Sequence, residues 1–157
     1  MTLIDNIKYV LRLRNAGVWR ADKLHTRIKR GYVKLKDLEA MAQAARCSLV
    51  FLASGGRYDY HGEMTAAEAV ETSIRHKGLN IHDVARAMGK RNAYTILREL
   101  RENTISVRHL VQLAETAGMP LHEMLCDGEQ EPAPPEIPGR EASPRVINRN
   151  FRRMGWG

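Results

Sequence analysis

The sequence predicts a mainly α protein: two small helical bundles in tandem, with a short strand near 48–53 and an extended C-terminal tail. Three observations carry that prediction. Apolar residues recur every three or four positions over most of the chain, the period of a helix with one buried face. Ala, Leu, Met and Arg, which favour helix, are plentiful, while aromatic residues make up only 6% of the 157 residues. The chain also matches itself at an offset of 72, which pairs Gly17 with Gly89, Leu38 with Leu110, Ala42 with Ala114, Ala45 with Ala117 and Leu49 with Leu121. Similar residues fill the gaps, among them Leu24/Ile96, Ile28/Leu100, Val33/Ile105, Lys36/Arg108 and Met41/Leu113, so two successive helical stripes stay in phase.

Residues 2–15 place Ile4, Ile7, Val10, Leu11 and Leu13 on a broad stripe, and Gly17 suits the position that ends a helix. Residues 19–30 carry Leu24 and Ile28 one turn apart among cations, a short basic helix stopping near Gly31. Leu35, Leu38, Met41, Ala42 and Ala45 mark a third helix. The run Ser48-Leu49-Val50-Phe51-Leu52 is short and apolar, and its Val and Phe ahead of Gly55-Gly56 favour a strand. Residues 54–63 are polar and turn-rich, as in a linker or hairpin loop. Thr65 with Glu68 forms a capping box, and Ala66, Ala69, Val70, Ser73 and Ile74 turn inward on the helix that follows. A short helix over 81–88 stops at Gly89, and one over 92–101 turns Ala93, Ile96, Leu97 and Leu100 inward. Ser106 caps a helix with Leu110, Leu113, Ala114 and Ala117 on its core face, and Pro120 opens the last one. The proline-rich stretch after Asp127 reads as an extended linker, and the basic end with Phe151 and Trp156 as a disordered tail or a docking arm. The boundaries are therefore 1–53, a linker at 54–63, a second bundle at 64–126, and linker plus tail at 127–157.

Lys and Arg number 25 against 18 Asp and Glu, a net charge of +7 that favours an anionic partner, nucleic acid first. Residues 1–55 hold 11 Lys and Arg against 4 Asp and Glu, so the whole surplus lies there. Residues 56–126 hold 9 of each kind and are neutral. Within the basic third, Arg20, Lys23, Arg27, Lys29, Arg30, Lys34 and Lys36 crowd a stretch with few acidic residues, either a solvated helix face or a nucleic-acid footprint. No apolar run reaches the roughly 20 residues that cross a bilayer, and the start lacks the layout of a secretory signal. Cys47 and Cys126 stand far apart, so two reduced thiols in a cytoplasmic protein are expected, with no membrane partner. His25, His61, His76, His82, His109 and His122 show no metal-ligand spacing, and no phosphate loop, nucleophile elbow or paired-carboxylate motif occurs. No enzyme, metal or cofactor is expected.

Residues 66–125 carry the most specific pattern. A helix ending at Gly78-Leu79-Asn80 leads into Asp83-Val84-Ala85-Arg86-Ala87-Met88-Gly89, then a turn, a second short helix, and Ser106 opening a helix with Leu110, Leu113 and Ala114. This resembles the helix-turn-helix of the lambda-repressor/Cro-like (XRE) superfamily, and the 72-residue repeat extends the resemblance to the first bundle. Ala85 would let the two helices approach closely, and Gly89 can take the positive φ of the turn. The turn from Gly89 to Ile96 is one residue longer than is usual in that family, and Asn103 stands where it often has Gly; Asn tolerates the left-handed conformation. The resemblance implies a recognition helix that presents Lys90, Arg91, Asn92, Tyr94, Thr95 and Arg98 to the major groove of double-stranded DNA. In the first copy it implies His25, Thr26 and Arg27 outward, with Lys23, Lys29, Arg30, Arg20 and Lys34 near phosphates.

The expected function is therefore a DNA-binding transcriptional regulator of phage or mobile-element type, acting as a homodimer. The competing expectation is a phage-encoded inhibitor, anti-CRISPR-like, that turns the same fold against a protein or ribonucleoprotein. It is motivated by the recognisable motif lying in the neutral half. An antitoxin whose tail wraps a toxin is the third.

Overall fold

The computed structural model describes residues 2–16, 21–89, 92–126 and 130–134. Six of its helices begin where a short polar side chain takes up a free backbone N–H. Helix α1 (Leu3–Leu13) opens on Thr2, whose hydroxyl accepts from the Asp5 amide; the Asp5 carboxylate in turn accepts from the Thr2 hydroxyl and the Thr2 amide, which hold the carboxyl below its usual range. It buries Ile7, Val10 and Leu11. Helix α2 (Ala21–Lys29) buries Leu24 and Ile28 among its described side chains. Helix α3 (Leu35–Ala44) buries Leu35, Leu38, Met41 and Ala42.

Residues 48–53 are not the expected strand. Leu49–Ser54 form a helix, α4, capped by Ser48 Oγ accepting from Phe51 N at 3.0 Å and closed by Gly55 at φ 68°. Val50, Phe51, Leu52, Ala53 and Ser54 are all buried. A short element buried all round has no polar face, so its period cannot be read.

Strand β1 (Tyr58–Asp59) pairs antiparallel with β2 (Glu131–Pro132), Tyr58 opposite Pro132 and Asp59 opposite Glu131. Each strand comes from a stretch expected to be a linker. Tyr58 stacks on His122 with ring centroids 4.9 Å apart, and Gln130 is buried with Oε1 2.8 Å from His122 Nδ1. The two connections thus form a clamp between the halves of the chain.

The second half runs α5 (Ala66–His76), α6 (Ile81–Ala87), α7 (Ala93–Arg101), α8 (Val107–Ala117) and α9 (Leu121–Met124). Thr65, Asn80, Asn92 and Ser106 cap the first four through side-chain oxygens. No described helix is long and apolar enough to cross a membrane.

The 72-residue spacing recurs in the backbone. It carries both ends of α2 onto both ends of α7, and the starts of α3 and α4 onto the starts of α8 and α9. Positive φ recurs too: Gly31 at 79° answers Asn103 at 60°, and Arg46 at 54° answers Gly118 at 74°. Turn hydrogen bonds repeat in register, Tyr32 N to Arg27 O with Thr104 N to Glu99 O, and Cys47 N to Ala42 O with Met119 N to Ala114 O. Ahead of α2 the correspondence stops. There α1 packs on both α2 and α4, as α5 does on α7 and α9, and the second half adds α6, packed on α5, α7 and α8. A buried polar side chain ties each pair: Asn6 Nδ2 donates to Ala53 O at 3.0 Å, and Ser73 Oγ to Met124 O at 3.0 Å.

The halves meet about a local two-fold. Lys34 and Ser106, which are equivalent positions, form an antiparallel bridge; Leu35 N donates to Ile105 O and Val107 N to Val33 O, each at 2.8 Å. Leu35 sits in the apolar core of the second half, and its counterpart Val107 in that of the first. Helix α4 lies between the two cores and against α9, giving Val50 and Ala53 to one and Phe51 and Leu52 to the other. The tandem bundles are therefore interlocked rather than strung on a linker.

Candidate nucleic-acid interface

Two helices of nine residues each expose the polar residues that the sequence singles out, and the same backbone plan positions both. In the second half, α6 buries Val84 and Ala85. The absence of a larger side chain at Ala85, fully buried, allows α6 to lie against α7 and α8. Gly89 takes φ 80° at the end of α6, and no heavy atom stands within 4 Å of where a Cβ would be, so backbone conformation alone selects glycine. Asn92 Oδ1 then accepts from Tyr94 N at 2.9 Å to start α7. Ala93, Ile96, Leu97 and Leu100 anchor α7 in the core. Asn92, Tyr94 and Arg98 are exposed and Thr95 is half-buried. Tyr94, 71% exposed, meets the His82 ring edge-on at 5.0 Å, which fixes the ring beside an open groove lined by Thr95, Arg98 and Glu102. Arg101 also lines that groove, and its guanidinium donates to Glu71 on α5 at 2.8 Å.

In the first half α2 leaves Lys23, His25, Thr26, Arg27, Lys29 and Arg30 exposed. Residues 23–30 contain four Lys and Arg and no acid. The equivalent stretch 95–102 contains two Arg and two Glu, because Glu99 and Glu102 stand where Arg27 and Arg30 do. Lys34 is half-buried ahead of α3, its amide bonded to Asp37 at 2.9 Å, and lies at the bridge rather than along α2. Arg20, Lys90 and Arg91 fall outside the described residues.

The C-terminal ends of α2 and α7 converge on the bridge. Lys36 N donates to Asn103 O at 3.1 Å, and Arg108 Nη1 donates to Lys29 O at 3.3 Å. Lys36 and Arg108 are equivalent and exposed; Lys36 belongs to the basic stretch that the sequence singled out, whereas Arg108 was missed, although the 72-residue match had already paired two cations there. Placed between the two helices, they extend the cationic surface across the junction. Among the described residues no three His, Cys, Asp or Glu come together in a group that could hold a metal ion.

The arrangement offers polar hydrogen-bonding side chains on two exposed helices and a dense cationic edge on one of them. No family model, no curated protein and no solved structure matches this chain.

Proposed function

We propose that this protein is a sequence-specific double-stranded-DNA-binding regulator, with the α6–α7 helix-turn-helix reading base edges and α2 supplying phosphate contacts. The observation that carries the reading is the exposed face of α2. Leu24 and Ile28 hold it to the core while Lys23, Arg27, Lys29 and Arg30 project with no acid between them. Cations held on a rigid helix next to a helix-turn-helix suit a phosphate backbone, whose neutralisation releases counterions. Asn, Tyr, Thr and Arg on α7 can donate to or accept from base edges in a major groove wide enough for a helix.

Selection from a random duplex library at physiological salt, followed by footprinting, tests this. An enriched sequence protected by the protein is the expected result, and no enrichment overturns the reading.

A second reading rests on a different observation. The α7 surface is neutral and presents a large aromatic side chain, Tyr94, to solvent. Exposed aromatics are common anchors at protein interfaces. An inhibitor using that face would bind a nucleic-acid-handling enzyme or ribonucleoprotein and show no selective duplex binding.

A further inference from the structure

The two candidate reading helices are related by the local two-fold of the Lys34–Ser106 bridge. Reciprocal bonds from Leu35 N to Ile105 O and from Val107 N to Val33 O, both 2.8 Å, define that axis. From each bridge residue back to its helix the backbone is the same, with matching turn bonds and positive φ at Gly31 and Asn103. The axis therefore relates α2 to α7. A two-fold rotation leaves the component along its axis unchanged, so whichever side of the molecule α2 faces, α7 faces as well. A symmetric helix-turn-helix dimer gains the same property by pairing two chains, and its operator is correspondingly an inverted repeat.

We propose that one chain of this protein occupies a whole inverted-repeat duplex site by itself, α2 on one half-site and α7 on the other, without a second copy. The proposal rests on the DNA-binding reading above and replaces the homodimer that the sequence suggested. Two observations support it. Leu35 and Val107 exchange places between the two cores, as matching residues do across an isologous interface. Helix α4, which pairs with α9 across the axis, has Val50, Phe51, Leu52 and Ala53 buried, so this pairing surface is already used within the chain.

The two half-sites differ in sequence because the helices do. Thr26 of α2 answers Arg98 of α7, and Arg27 answers Glu99. The site is an inverted repeat in geometry and unequal in bases, with most of the salt dependence from the α2 half.

The test uses the full chain. The mass in free solution and in complex with the selected duplex is measured by native mass spectrometry, and specificity is mapped base by base for wild type, Arg98→Ala and Arg27→Ala. Expected are one chain free, one chain per duplex, and two unequal half-sites about one turn apart. Arg98→Ala then relaxes discrimination roughly 5- to 150-fold at one half only, and Arg27→Ala weakens contact at the other. Two chains per duplex, a single protected half-site, or both variants acting on the same half overturns the proposal and leaves DNA binding standing. A library with no enriched duplex overturns the DNA-binding reading, and this proposal falls with it.

Discussion

Helices α2 and α7 share length, flanking turns and the spacing of their anchors, Leu24 and Ile28 against Ile96 and Leu100, yet carry opposite surfaces. One face is cationic, and the other balances Arg98 and Arg101 against Glu99 and Glu102. The backbone and the buried pair are what the shared architecture needs, so they stay the same. Exposed positions have no such constraint, since packing does not decide them, and there the two helices diverge. Phosphate attraction is long-ranged and needs only charge, whereas base reading or partner docking needs particular groups at particular places. One scaffold position can therefore supply affinity in one half and selectivity in the other.

The largest effect should come from breaking what the halves share. Leu35→Ala and Val107→Ala each empty a fully buried site in the opposite half's core. The Leu35 variant should lose about 2–5 kcal/mol of stability. Chemical denaturation checks it: a single transition that moves in both variants is expected if the halves unfold as one, and two separate transitions would mean that they do not.

Removing the charge of α2 comes next. Arg27→Ala, Lys29→Ala and Arg30→Ala together should lower the slope of log affinity against log salt by about 2.7, each phosphate contact adding about 0.9. Between about 50 and about 200 mM salt that is a difference of about 40-fold in affinity, the same for every duplex sequence. The triple variant Thr95→Ala, Arg98→Ala, Tyr94→Ala should instead change sequence preference and leave the slope nearly as it was. Equal slopes for wild type and the α2 variant would remove α2 from the interface.

A smaller pair of effects sharpens the equivalence itself. Arg46 and Gly118 occupy one position at φ 54° and 74°, where a side chain costs about 1–2 kcal/mol. A Cβ at Gly118 would meet no atom within 4 Å, so the cost there is backbone conformation alone. Gly118→Ala should destabilise by about 1 kcal/mol and Arg46→Gly should stabilise by a similar amount, measured as shifts in thermal midpoint.

The smallest concerns a residue with no counterpart in the first half, where Val50 stands. Burial under Tyr58 holds His122 below its ordinary 6.5, more than the bond to Gln130 raises it. The unfolded chain then binds a proton more readily than the folded one, so stability is full above about 6.5 and falls as pH drops below it. His122→Gln should flatten this acid-side loss in a pH series of denaturation curves.

Much of this architecture was legible in the residues. The second bundle shows strong periodic stripes with a cap at each start, Thr65, Asn92 and Ser106, and its helices fall within a residue or two of the expected bounds. The exposure of Tyr94, Arg98, Arg27 and Lys29 followed from the same stripes. Helix α4 was not legible as a helix because burial on every side erased its period. Neither was the β1–β2 clamp, since two-residue strands carry no alternation and their partners lie far apart in the chain.

Composition, periodicity and the 72-residue match settled the helical class, the anchors of each helix and the seat of the charge, because these depend on local preference and one-dimensional spacing. Tertiary structure alone decided that Leu35 and Val107 change places, that Lys34 meets Ser106, and that α4 serves two cores. These are contacts between residues about 70 positions apart, and a repeat says that two segments resemble each other without saying how they face. Their antiparallel pairing turned a tandem repeat into a two-fold.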